Sequence, residues 1–188
     1  QVGYFGSVAF GIGALLALDA DDRRGDAIAC LCLVGALLFS SVALPLMAGV
    51  AVLIAWDSRR WQRAYVVVVP AVLYGIWWLG WGHEAESALK VTQIATSPSY
   101  VLDGLAAAVS SYFGLSTPRA DNTSLNAFDL GRPLLVALVA LGGWRVYKLG
   151  RASKWLVATL VIAVAFFALA GFNANIPARA ANAERYMY

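Results

Sequence analysis

Apolar residues in this chain gather in long blocks, and polar residues fill the gaps between them. A helix needs about 20 apolar residues, range about 17–25, to cross a hydrocarbon layer of roughly 30 Å. Four blocks fit or nearly fit: 2–18, which is Gly-rich, 64–82, 133–149 and 155–172. The third carries Arg145 and Lys148 near its end, where long side chains can snorkel to the interface.

The stretch 27–56 holds thirty mostly apolar residues. As one helix it would extend about 45 Å, too long for one untilted span. Two short helices, 27–40 and 42–56, broken at Phe39-Ser40-Ser41, are the alternative. Charge placement favours the pair. It puts Arg23, Arg24, Arg59, Arg60, Arg63, Arg145, Lys148, Arg151 and Lys154 on one side, leaving five cations opposite, as the positive-inside bias requires. One span would divide the cations equally. Asp19, Asp21, Asp22 and Asp26 dilute the first cluster, although acids count little in that bias.

The expected architecture is therefore all-α: a polytopic transmembrane bundle of about six spans, forming one membrane domain over 1–188. Loops 19–26, 57–63 and 150–154 face the cytoplasm. The segment 83–132 and the tail face outward. Trp77, Trp78 and Trp81 then fall at the outer interface, and Trp56, Trp61 and Trp155 at the inner one, depths that amphipathic rings prefer. Pro45 and Pro70 are expected to kink their helices.

The segment 83–132 is too long for a plain connector. Ser97-Pro98-Ser99 predicts a helix start and Gly114 a stop. Between them Val101, Leu102, Leu105, Val109, Tyr112 and Phe113 share one face, with Asp103, Ser110 and Ser111 mostly opposite. A shorter helix is expected over Glu84–Ile94, and an irregular loop over Ser116–Asp129. Such interfacial helices either cover short spans or wall a substrate site.

Composition agrees with this reading. Of the 188 residues 61% are hydrophobic and 13% charged, against roughly 45–50% and 25% in soluble domains. The mean hydropathy is +0.69. These values exclude a disordered chain, and two cysteines exclude a disulfide scaffold. The net charge of +3 comes with no basic run long enough for a nucleic-acid footprint. The chain opens at Gln1 without a basic leader and stops at Tyr188 without a tail, so it is expected to be a piece of a longer polytopic protein.

Candidate chemistry is sparse. Cys30 and Cys32 lie about 200° apart on a helix with no further ligand nearby, so no metal site is expected. No charge lies mid-span, which counts against an ion-coupled transporter. Nucleotide-binding, serine-hydrolase and zinc-protease motifs have no match. His83, the single histidine, sits at the outer end of a Trp-rich span. It reads as an interfacial polar residue, or as an acid–base or substrate contact. Arg185 falls just outside the membrane, where its guanidinium can fork onto a phosphate, with Tyr186 beside it.

The run Ala-Leu-Leu-Phe-Ser-Ser-Val-Ala-Leu-Pro-Leu at 36–46, the long outward loop and Glu-Arg-Tyr at 184–186 resemble the C-terminal half of GT-C type polytopic glycosyltransferases. Actinobacterial membrane proteins related to them look similar. The resemblance implies a multi-pass protein of the cytoplasmic membrane that takes a polyprenyl-phosphate sugar as donor and acts at the extracytoplasmic face. By the resemblance, Arg185, with Tyr186 beside it, would contact the lipid phosphate, and His83 joins them as a candidate substrate contact by its position at the outer end of its span. The family's catalytic acid lies in an early outward loop that has no counterpart here, so no catalytic residue and no cofactor are assigned. The alternative is a non-enzymatic membrane protein of lipid or polysaccharide translocation or assembly.

Overall fold

The computed structural model describes residues 2–82, 91–115 and 127–171. Among them the chain is all-helical. It runs α1 (Val2–Asp19), α2 (Arg23–Phe39), α3 (Ala43–Ala55), α4 (Arg60–Arg63), α5 (Tyr65–Gly80), α6 (Val91–Tyr112), α7 (Ala127–Leu149) and α8 (Lys154–Gly171). Two compact units are present. One comprises 1–87 with 153–166, the other 88–152 with 167–188.

In the first unit α1 and α2 are the closest pair. Their approach rests on residues without bulk. A side chain at Gly3 or Gly6 would meet Phe39, and one at Gly35 would meet the Phe10 ring. Phe10 and Phe39 stack instead, with centroids 5.6 Å apart. Ser7, fully buried, donates from Oγ to the Ser40 carbonyl at 3.3 Å. Small residues and an interhelical hydroxyl are the means by which helices associate when hydrophobic driving force between them is weak. Leu33, Val50 and Val66, all fully buried, centre the core.

The turns of this unit are explained locally. Asp21 ends α1 in the left-handed region, φ 52°, a conformation that Asp tolerates better than most residues. Asp22 then caps α2, its carboxylate accepting from the Gly25 amide. Ser40 breaks α2 from α3, as predicted, with its Oγ accepting from the Val42 amide at 3.3 Å. Pro45 falls in the first turn of α3, where amides have no intrahelical acceptor, so the kink expected there has no cause. Pro70 lies inside α5, which continues through it.

In the second unit α6 packs on α7. Several expectations are corrected here. α6 begins at Val91, six residues before the Ser97-Pro98 start, and takes Pro98 into its interior. α7 begins at Ala127, so the irregular loop predicted to reach Asp129 ends earlier. Of the shared apolar face of α6, Val101, Leu105 and Val109 are half-buried, and the fully buried positions are small residues. Gly104, Ala106, Ala107 and Ser110 are buried, while Leu102, Tyr112 and Phe113 are exposed. The physical reason is contact distance. Gly131 of α7 sits so close to the Ala106 backbone that no side chain fits between them, and only small residues permit this. Gly114 (φ 68°) and Gly150 (φ 66°) stop α6 and α7 as predicted. The helix expected over Glu84–Ile94 lies outside the described residues up to position 90.

Among the described residues α1 and α8 are long and apolar enough to cross a membrane, two helices where about six were expected. α3 and α5 are apolar but shorter. α2 and α3, with 17 and 13 residues, reach about 25 and 20 Å.

Candidate functional site

Polar chemistry in the first unit concentrates where α1 and α3 end and where α2 and α5 begin. Arg63, at the end of α4, is only 8% exposed. Its Nε and Nη2 donate to Asp26 Oδ1 at 2.9 and 2.6 Å. Its Nη1 donates to Asp21 Oδ1 at 2.9 Å and Asp57 Oδ2 at 2.6 Å, and Nη2 also reaches the Leu18 carbonyl at 3.3 Å. These five contacts match the five donors of a guanidinium, so a buried charge is fully paired. Arg59 forms a second ion pair with Asp21. Asp57 accepts from the Arg59 amide at 3.0 Å. That hydrogen bond, then the one from Arg63, hold the Asp57 carboxyl at a pKa of about 2, well below the usual range.

The residue types were readable beforehand, but the pairing was not. Asp19, Asp21, Asp22 and Asp26 entered only as a dilution of positive charge. The usable signal was two oppositely charged loops predicted on one side of the bundle.

Beside this cluster lies a cavity of about 480 Å³. Leu18, Leu53 and Ile54 form its apolar wall, Asp19, Asp57, Arg63 and Lys154 its charged parts, and Trp56 and Trp155 its aromatic edge. The Lys154 ammonium stands 5.9 Å from the centre of the Trp155 ring.

At the other end of α2 is a groove of about 530 Å³. α2 and α5 border it, running in the same direction, with Cys30 near the Tyr65 carbonyl before the groove begins. Val34, Leu37, Leu38, Leu73 and Trp77 make it apolar. Ser40, Ser41 and Tyr74 supply hydroxyls along it, and Tyr74 leans on Trp77 with centroids 5.6 Å apart.

The sequence-derived candidates His83, Arg185 and Tyr186 lie outside the described residues, so neither cleft can be assigned to them. Cys30 and Cys32 are free thiols on different sides of α2, Cys30 toward the Tyr65 carbonyl and Cys32 toward Gly13 of α1. No group of three metal-ligating side chains occurs among the described residues. No protein-family model, curated protein or solved structure matches the chain.

Proposed function

We propose that the chain is a multi-pass domain of the cytoplasmic membrane, the C-terminal portion of a glycosyltransferase that uses a polyprenyl-phosphate sugar at the outer face. The observation that carries this reading is the groove between α2 and α5. It is apolar enough for an isoprenoid tail, has hydroxyls at the Ser40-Ser41 break, and falls within the roughly 300–1,000 Å³ of small-ligand sites. His83, Arg185 and Tyr186 would meet the phosphate and sugar beyond it.

Several features support the membrane placement. Only 22% of the apolar window in α1 and 17% of that in α8 are buried, unlike the core helices of soluble proteins. Residues 136–145 of α7 are exposed at every position, although most are apolar. A helix apolar all round needs lipid or other helices around it. Six spans follow if α2, α3, α5 and α7 cross as well. The Arg63 cluster supports α2 and α3 as an out-and-back pair, because it joins loops 19–26 and 57–63 at one end. The short reach of α3 is met by local thinning of the bilayer.

A second reading, a non-enzymatic subunit of lipid or polysaccharide translocation or assembly, draws on the same exposed stretch of α7, which a partner helix could cover.

The test uses a photoreactive polyprenyl phosphate and the full-length protein in native membranes. Crosslinks are expected on peptides of α2 and α5, and Leu73→Trp, which fills the groove, should abolish them. Labelling that is spread over all helices, or that survives Leu73→Trp, ends the proposal.

A further inference from the structure

The cavity at the opposite end of the bundle is left unused by the proposed transfer reaction. Its charges are of two kinds. Arg63 and Asp57 are spent on one another and on their neighbours. Asp19 and Lys154 are not: among the described residues neither takes part in an ion pair, and both are exposed. One free anion and one free cation therefore line the same 480 Å³ cavity.

The surroundings narrow the choice of ligand. Leu18, Leu53 and Ile54 continue the cavity as an apolar wall toward the middle of the bundle, because they belong to the last turns of α1 and α3. Trp56 and Trp155 sit at its edge, at the depth where indoles prefer the membrane–water interface. A ligand matching this pattern has an apolar tail, a phosphate and an ammonium group. A purely anionic head group leaves the unpaired Asp19 opposed, because like charge repels it. A purely cationic ligand leaves Lys154 opposed.

We infer that this cavity binds the head group of a zwitterionic phospholipid from the inner leaflet, with its phosphate on Lys154 and its ammonium on Asp19. The inference rests on the membrane placement proposed above and is independent of the sugar-transfer reading. Lys154 gives the phosphate a charge-assisted contact, and Asp19 gives the ammonium another. The tail lies along Leu53 and Ile54. Such a lipid would be a resident component that fills the gap between α1, α3 and the start of α8 in the first unit.

The experiment reconstitutes the full chain into nanodiscs of equal parts phosphatidylethanolamine, phosphatidylcholine and phosphatidylglycerol. The protein is then extracted in mild detergent, and the retained lipids are counted by native mass spectrometry. Enrichment of the zwitterionic lipids over phosphatidylglycerol is expected, by about five-fold or more. Lys154→Gln and Asp19→Asn should each reduce it to near the bulk ratio. Lys148→Gln is the control, because Lys148 stacks on Trp144 at the same 5.9 Å but lies outside the cavity. It should change nothing. Preference for phosphatidylglycerol overturns the inference, as does retention indifferent to Lys154 and Asp19. Failure of the membrane placement is a separate result: the protein would then leave membranes on alkaline carbonate washing. Both variants alter exposed residues, and unchanged melting in detergent confirms that they fold.

Discussion

Two arginine–aspartate contacts in this chain share their chemistry and differ in their settings. The Arg63 side chain is 10% exposed and meets three carboxylates and a carbonyl, whereas that of Arg132 is 63% exposed and pairs with Asp103 at 2.7 Å. In the first unit the turns after α1 and α3 bring acceptors to one point, of which Asp26 is buried and Asp21 open to water. Arg63 satisfies them together. In the second unit α6 and α7 touch through Gly131 and Ala106, and the ion pair lies outside that contact. The weight of an ion pair follows from how many groups its loss would strand, more than from its length.

The largest expected effect comes from Arg63→Met. It leaves Asp26 buried and unpaired, which costs about 3–5 kcal/mol. Unfolding in detergent, followed by heat or denaturant, measures it. Adding Asp26→Leu to the same chain should restore much of the loss, since it removes the most buried of the three carboxylates that Arg63 pairs. If Arg63→Met costs no more than the Arg132 pair does, the contrast between the two regions fails.

The intermediate effect belongs to the α6–α7 contact. Gly131→Ala forces a methyl group against the Ala106 backbone, and overpacking of this kind costs about 1–3 kcal/mol. Gly142→Ala, on the open part of the same helix, should cost nothing and stabilise by up to about 1 kcal/mol. Equal effects would mean that small residues do not set the spacing of the pair. The smallest effect is that of Asp103→Asn, about 0–1 kcal/mol by the same unfolding measurement, as for other exposed pairs.

Local signals were read well where one residue decides the backbone. Ser40-Ser41, Gly114 and Gly150 end their helices at the expected places, because a hydroxyl cap or a left-handed glycine acts within its own turn. The start of α6 was misplaced, since the Pro98 rule assumes a helix beginning there and the real one arrives from upstream. Its fully buried positions were not marked by the pattern, because periodicity ranks residues by apolarity, whereas the contact with α7 selects them by size. The Arg63 cluster needed three separate turns to be brought together, and no single stretch of chain records that. The groove has the same origin: its two walls, α2 and α5, are separated in sequence by all of α3 and α4.

Arg63 follows Asp21 by 42 residues, Asp26 by 37 and Asp57 by 6. At synthesis rates of about 5–20 residues per second, the first two acids wait roughly 2–8 seconds for their counter-ion. The guanidinium thus works as a latch, not as a guide: it is added after the residues of the first three helices, and it closes on acids made before it.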